Sequence, residues 1–479
     1  MRVLSVSSEI YPLIKTGGLA DVAGALPPAL SKMGIEVRTL VPGYPSIMGA
    51  LGSAETVCTF GSLLGTSARL LSAKVGDLDL LVLDAPMLFE RDGGPYSGPD
   101  GTDYPDNWKR FAALSLAGAQ IGEGAVPEFV PNLVHAHDWQ AALVPAYLKY
   151  RGSKTPSVLT IHNLAFQGQF GPDIFSQLEL PPHAYSVEGV EYYGGVGFLK
   201  AGLQTAWALT TVSPTYAKEI ATPAFGMGLE GLISRRSDDL YGIVNGIDVQ
   251  DWDPATDARL GTTFSIRQLK ARVANRRLIE GRFGLEADDD PLFIVVSRLT
   301  WQKGLDLVAS KIPDLVEAGG KIAILGTGDR GLEHWLLTLA GAHEGRVGVH
   351  LAYDETLAHL MQGGADAILI PSRFEPCGLT QLYAQRYGTI PVVARTGGLA
   401  DTVIDANSAA VAAGVASGVQ FAPDNGDALV EAVHKVAAFR SDTRVWTAMQ
   451  KQAMRLDVSW TRSAAKYAEL FHSLVPGRG

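Results

Sequence analysis

The heptapeptide Lys15-Thr16-Gly17-Gly18-Leu19-Ala20-Asp21 returns near the other end of the chain as Arg395-Thr396-Gly397-Gly398-Leu399-Ala400-Asp401. Each copy lies between an apolar run (Val3 to Val6, and Pro391 to Ala394) and a helix-like segment. A strand that passes through a Gly-Gly loop into a helix opens an α/β unit, so two copies predict two similar halves. A glycine pair lets backbone approach a ligand with no Cβ in the way, and the first amides of a helix are free to bind an anion. Both loops are therefore expected to face a ligand, with the basic residue at the head of each adding charge; the competing explanation is that Gly-Gly merely makes a tight turn.

A chain of 479 residues exceeds what one hydrophobic core usually supports, so two or more domains are expected. The net charge of −10 is spread without a basic block, which argues against nucleic acid and anionic membranes as partners. An anionic ligand must then be held by local Lys, Arg and helix termini. Only Cys58 and Cys377 are present, which fits a reducing compartment. Ser5, Ser7, Ser8 and Glu9 interrupt the N-terminal apolar run before a signal-peptide core forms, and no stretch is long enough to span a bilayer. The expected location is the cytoplasm.

Strand-like runs alternate with helical patterns throughout, the sign of parallel sheets with helices on both faces. One series comprises Val37 to Val41, Leu78 to Leu83, Leu133 to His137, Ser157 to Ile161 and Leu209 to Val212. A second comprises Leu292 to Ser297, Ile322 to Leu325, Val347 to Leu351, Ala367 to Ile370 and Pro391 to Ala394. Between them the Asn-Gly turn of Gly242 to Asp248 marks a boundary. The expected domains are 1–243 and 244–459, each a doubly wound α/β unit. The Ala/Gly/Ser-rich piece from Asn407 to Gly418 reads as a surface excursion.

Ligands of open parallel sheets bind beyond the carboxyl ends of the strands, and this chain places its unusual residues there. His135-Ala136-His137-Asp138-Trp139 and His162-Asn163 fall in the first series. The H-x-H spacing begins a metal site or marks satisfied core histidines, with no third or fourth ligand evident. Asp138 is either the N-cap of a helix Trp139 to Tyr150 or a carboxylate aimed into a cleft. His162 is a donor to phosphate or sugar, or a structural histidine. In the second series Arg298 and Lys303 flank Trp301 ahead of Gly304, two cations at a helix start, a pattern that suits a diphosphate. Glu375 precedes the turn Pro376-Cys377-Gly378 and suits sugar hydroxyls, while the amides of Gly378, Leu379 and Thr380 point outward. Cys377 has no adjoining histidine and reads as a packing residue. Gly326-Thr327-Gly328-Asp329-Arg330-Gly331 satisfies a dinucleotide fingerprint but does not open the first unit of its domain, so NAD is disfavoured. The D-x-D pairs Asp77/Asp79 and Asp251/Asp253 are poorly placed for a metal-nucleotide complex. Metal-independent chemistry without a cofactor is expected.

Lys15 to Asp21, His135 to Trp139, Ser297 to Gly304 and Glu375 to Thr380, in this order, resemble the bacterial glycogen synthases and plant starch synthases. The resemblance implies a GT-B glycosyltransferase, with two Rossmann-like domains facing across a deep cleft, acceptor side first and nucleotide-sugar donor side second. It implies that the last helix, about 460–479, packs back on the first domain. The implied reaction is retaining transfer of glucose from ADP-glucose to the nonreducing end of an α-1,4-glucan such as glycogen. Carried over by position, Lys15 and Gly18 meet the diphosphate and sugar, with Asp21 and Asn245 in the same cleft. Arg298 and Lys303 hold the diphosphate, Tyr353 flanks the adenine, and Gly326, Cys377, Gly378, Leu379 and Thr380 complete the donor site. Asp138 and His162 lie beside the anomeric carbon, with Glu375 opposite. The wider superfamily often has a second Glu after seven intervening residues; here that position is Tyr383.

Overall fold

The structure, a computed structural model, describes residues 1–475. It divides into two compact units, Met1–Asn245 with Trp460–Gly479, and Gly246–Ser459. Of the last helix anticipated from sequence, Trp460–Leu474 is helical, and residues 476–479 lie outside the described residues.

The strands of the first unit are β1 (Arg2–Val6), β2 (Glu36–Pro42), β3 (Glu55–Leu63), β4 (Thr66–Val75), β5 (Leu78–Asp84), β6 (Leu133–His137), β7 (Ser157–Ile161), β8 (Gln169–Phe170), β9 (Glu191–Tyr192), β10 (Gly195–Gly197), β11 (Ala208–Thr211) and β12 (Leu240–Gly242). Nine form one sheet in the order β12-β11-β7-β6-β1-β2-β5-β4-β3, and β8, β9 and β10 form a small antiparallel sheet. The large sheet is parallel from β12 to β5. β4 pairs antiparallel with both β5 and β3. That edge hairpin was not anticipated. β3 has only Phe60 and Leu63 buried and lacks the continuous apolar run that marks a central parallel strand.

The helices Gly18–Ser31 and Trp460–Leu474 cover one face of this sheet. Val22, Leu26 and Leu30 of the first pack with Trp460, Ala464, Tyr467, Leu470 and Phe471 of the second over Val3, Leu133 and Val158. The expected helix Trp139 to Tyr150 is two, Asp138–Ala141 and Leu143–Tyr150. Pro145 stands in the first turn of the second, where its missing N–H costs nothing.

The second unit holds β13 (Leu292–Val296), β14 (Lys321–Leu325), β15 (Val347–His350), β16 (Ala367–Ile370), β17 (Ile390–Ala394) and β18 (Val419–Phe421). They form one wholly parallel sheet in the order β15-β14-β13-β16-β17-β18. The α/β class with a parallel sheet in each half is thus as expected. The segment Asn407 to Gly418 is more than a surface excursion. Asn407 caps a helix, Ser408–Ala412, and Ala410 and Ala416 are buried in the core of this unit. Small residues let the segment lie close to the sheet, which its polarity alone did not suggest.

Candidate functional site

In an open parallel sheet the strand order reverses at one point, and there the loops splay apart and leave a crevice. In the second unit that point lies between β13 and β16, and in the first between β6 and β1. Lys15, Asp138, Arg298, Lys303 and Glu375 follow these four strands, while His162, Asn245, Gly326 and Tyr353 follow β7, β12, β14 and β15.

In the first unit the loop after β1 carries Lys15, whose Nζ is 2.7 Å from Asp21 Oδ1. Gly17 is extended (φ −159°) and a Cβ built on it would meet nothing within 4 Å. Gly18 is exposed and opens the helix Gly18–Ser31, which has no side-chain cap, so its first amides are available to an outside acceptor. The loop is held by Glu9, whose oxygens accept from Thr16 N (2.5 Å) and Thr16 Oγ1 (2.6 Å).

After β6, Asp138 is not a helix cap. Its φ of +53° turns the side chain across to the next strand, where Oδ1 accepts the His162 N–H at 2.7 Å and that of Asn163 at 3.5 Å. A carboxylate-bearing residue in the left-handed region is sparsely populated and marks a place where position matters more than local comfort. Burial pushes the Asp138 carboxyl up to about 7, against the two amide donors that favour its ionised form. His162 Nε2 is 2.9 Å from His137 Nδ1, His137 Nε2 is 3.2 Å from Ser5 Oγ, and His135 Nε2 is 2.6 Å from Thr160 Oγ1. Burial pushes all three imidazoles down, His137 to about 3. His135 and His137 are therefore satisfied neutral core histidines. Asn245, at the end of this unit, is buried, and its Oδ1 has no hydrogen-bond partner among the described residues.

In the second unit Lys303 and Glu375 meet across the reversal point. Lys303 Nζ is 2.7 Å from Glu375 Oε1 and 2.6 Å from Oε2, and Ser372 Oγ donates to Oε2 at 2.8 Å. With Ser297, Pro371 and Thr380 they line one small cavity. Gly304 starts the helix Leu305–Glu317 at φ +68°, where a Cβ would lie 2.1 Å from Pro371 O. That close approach brings Lys303 beside the loop after β16, which carries Glu375. Gly378 (φ +72°) turns the chain into the helix Thr380–Tyr387, and Gln381 Nε2 ties the turn by donating to Cys377 O and Gly378 O. Cys377 is buried and forms no disulfide. Neither Gly304 nor Leu379 caps its helix with a side chain, whereas Asp329 and Asp354 cap the helices after β14 and β15. Both helix starts at the reversal point thus lack a side-chain cap. Arg298 is exposed, and so is Tyr353, beyond β15. A Cβ at Gly326 would lie 1.8 Å from Ser297 O, so this glycine seats its loop against the one bearing Arg298.

The second Gly-Gly loop departs from expectation. Gly397 and Gly398 are buried. A Cβ on Gly397 would lie 2.0 Å from Glu375 O, and one on Gly398 2.2 Å from Cys377 O. The Gly398 N–H donates to Glu375 O at 3.0 Å. This copy supports the Glu375 loop from behind, because β17 lies next to β16 and the loops after them pack together.

Three of the four D-x-D aspartates are engaged in ion pairs: Asp79 with Arg38, Asp251 with Arg259 and Asp253 with Arg386. Asp251, Glu355 and His359 have the spacing of a cation site, but the Arg259 guanidinium lies 2.6 Å from Asp251 and 3.2 Å from both His359 ring nitrogens. Sequence reasoning missed Glu9, Tyr96, Ser372 and Gln381. Glu9 alone carried a signal, a carboxylate just past an apolar strand.

The chain matches the starch synthase catalytic domain family over residues 2–235 and the glycosyl transferases group 1 family over residues 280–450. It is 58% identical over 479 residues to a glycogen synthase of Mesorhizobium japonicum, covering 100% of both chains. It is 59% identical over 476 residues to one of Rhizobium tropici, covering 99% of each. Among solved structures it resembles the catalytic domain of starch synthase IV from Arabidopsis thaliana bound to ADP and acarbose, with a TM-score of 0.87, 28% identity and 99% of each chain covered. A sucrose-phosphate synthase from Thermosynechococcus elongatus shares the fold at a TM-score of 0.59 and 15% identity, covering 99% of this chain and 98% of that one. With its two parallel α/β units and near-complete coverage by such relatives, the chain belongs to the bacterial glycogen synthase family of GT-B glycosyltransferases.

Proposed function

We propose that this chain transfers glucose from ADP-glucose to the nonreducing end of an α-1,4-glucan, with retention, without a metal, in the cytoplasm. The observation that carries the reading is the Lys303–Glu375 pair at the strand-order reversal of the second unit, flanked by uncapped helix starts. An ammonium has three donors. Glu375 takes two, which leaves one for a phosphate oxygen. Arg298 and the amides at Leu379 and Thr380 add positive potential where charge builds on the leaving diphosphate. The second unit is thus the donor side and the first the acceptor side, with Tyr353 beside the adenine. We also assign diphosphate binding to Lys15 and the open Gly17-Gly18 loop, a cation beside helix amides that no side chain caps.

Glu375, fixed by Ser372 and Lys303, accepts from glucose hydroxyls. Asp138 and His162 stand beside the anomeric carbon. A buried carboxyl titrating near 7 with one oxygen committed to the His162 amide is a poor nucleophile, which favours a front-face route. In that route the bond from C1 to the acceptor oxygen forms on the face from which the C1–phosphate bond breaks. A phosphate oxygen takes the acceptor proton.

The test is incorporation of labelled glucose into glycogen from ADP-glucose and, in parallel, UDP-glucose, with excess EDTA. Transfer from ADP-glucose alone is expected. Transfer only from UDP-glucose, or only with added metal, would overturn the donor or the metal-free chemistry. No transfer while ADP still binds would point to a different acceptor.

A further inference from the structure

Glu9 is buried at 2% exposure, and no Lys or Arg pairs with it among the described residues. Burying a carboxylate is costly unless it is fully hydrogen-bonded. Its partners are the Thr16 N–H at 2.5 Å, Thr16 Oγ1 at 2.6 Å and the Tyr96 hydroxyl at 2.5 Å. An ionised carboxylate only accepts, so it obliges all three to donate. With Tyr96 donating to Glu9, Ser8 Oγ, 2.8 Å away, donates to Tyr96 in turn. The Glu9 carbonyl is held as well, accepting from Ser7 Oγ at 2.7 Å. One side chain therefore joins the end of β1, the Gly-Gly loop and the loop bearing Tyr96.

Elsewhere the loop is held by the Tyr11 N–H donating to Ala20 O at 3.0 Å, by the pairing of Ile10 with Ile14 and by the Lys15–Asp21 ion pair, so Glu9 is what fixes Thr16 itself. The helix it leads into lacks a side-chain cap, and the space beside Gly17 is open. Lys15 and Thr16 are exposed. A simple structural tie needs no buried negative charge, since an amide or hydroxyl makes it more cheaply. A carboxylate fixes both the hydroxyl and the backbone N–H of one residue, and so sets the direction of the next peptide groups.

We propose that Glu9 is a positioning residue for donor binding: by clamping Thr16 through its N–H and hydroxyl, it aims Lys15 and the Gly17-Gly18 amides at a nucleoside diphosphate. This rests on the donor reading of the Lys15 loop. Because three hydrogen bonds satisfy the Glu9 charge, it sits near an anion site with reduced repulsion.

The experiment is calorimetric titration of the full chain with ADP, beside the KM for glycogen, for wild type, Glu9→Gln, Thr16→Val and Thr16→Ser. Thermal melts check folding. Glu9→Gln and Thr16→Val should each weaken ADP about tenfold, the scale of one charge-assisted contact. The KM for glycogen should hold, and Thr16→Ser, which keeps the hydroxyl, should recover what Thr16→Val loses. Glu9→Gln combined with Lys15→Ala should lose less ADP affinity than the two single losses multiplied together, since both act through one loop, and fully independent losses would overturn the shared role. Wild-type ADP affinity in a folded Thr16→Val chain, or equal losses in ADP affinity and the KM for glycogen, would overturn the proposal. If Glu9→Gln does not fold, Thr16→Val decides. Failure of wild type itself to bind ADP would instead overturn the donor reading, and the inference with it.

Discussion

Lys303 Nζ stands within 2.7 Å of both carboxylate oxygens of Glu375, although 72 residues separate them. Both side chains are mostly buried, at 19% and 9% exposure. Removing one partner of such a pair strands the other, which costs more than the pair itself contributes. Lys303→Ala is therefore expected to lose on the order of 10² to 10³ in turnover and also roughly 1–3 kcal/mol in stability. Lys303→Met with Glu375→Gln should recover most of the stability and none of the activity. Denaturant unfolding and initial rates on wild type, Lys303→Met, Glu375→Gln and the double variant, with Lys303→Ala beside them, test this. Additive stability losses would show that the two groups do not depend on each other.

The two Gly-Gly loops should respond oppositely to the same change. Gly17→Ala puts a methyl into open space at an extended φ, so melting is expected to be unchanged while the KM for the donor rises severalfold. Gly397→Ala forces a Cβ to 2.0 Å from Glu375 O at φ +43°. That chain should be destabilised by about 1–3 kcal/mol and should lose turnover through displacement of Glu375. Matching melting losses in both variants would mean that the first glycine also serves packing.

The buried histidines and Asp138 give stability a pH dependence with opposed signs. The folded chain keeps His135, His137 and His162 neutral where the unfolded chain protonates them, so below pH 6.5 the unfolded state binds up to three more protons. Their stabilisation is present above 6.5 and is lost as pH falls. Asp138 acts in reverse. Its folded form holds a proton up to about pH 7 that the unfolded form releases near 4, so its contribution is full at low pH and lost as pH rises through 7. Each proton changes the slope by ~1.4 kcal/mol per pH unit. Between pH 6.5 and 4, His137→Asn should flatten the fall in unfolding free energy by one proton, and Asp138→Asn should steepen it by one. Urea midpoints across that range, with constant m-values, measure both.

Much of this was legible because parallel strands are buried on both faces and announce themselves as apolar runs. Lys303, Glu375, Asp138 and His162 follow such runs, where chain direction alone places functional groups. What was hidden depends on pairing across the sheet. The echoed loops look alike, yet one faces open space and the other the Glu375 backbone, a difference set by β17 lying beside β16. Glu9 passed as a polar interruption because its partners, Thr16 and Tyr96, are 7 and 87 residues away. Asp138 looked like an N-cap because no spacing rule reveals a left-handed φ.

Tyr383 occupies the position where the wider superfamily often has a second Glu, and here it is part of an aromatic stack. Its ring lies 3.7 Å from that of Trp252 at 12°, and the His359 ring lies 3.5 Å from Trp252 at 16°. Asp257 anchors the far end, bonded to His359 Nδ1 at 2.7 Å and to the Tyr387 hydroxyl at 2.6 Å. The stack ties the segment after the unit boundary to the helix Thr380–Tyr387, whose first turn follows Glu375. Tyr383→Glu would replace a ring contact with a carboxylate facing an indole, losing burial and adding a charge that must be desolvated. A loss of about 2–4 kcal/mol is expected, while Tyr383→Phe should stay within about 1 kcal/mol because the stack survives. If Tyr383→Glu instead kept wild-type stability and raised turnover, the position would be a functional site held open for an acidic group rather than one closed by packing.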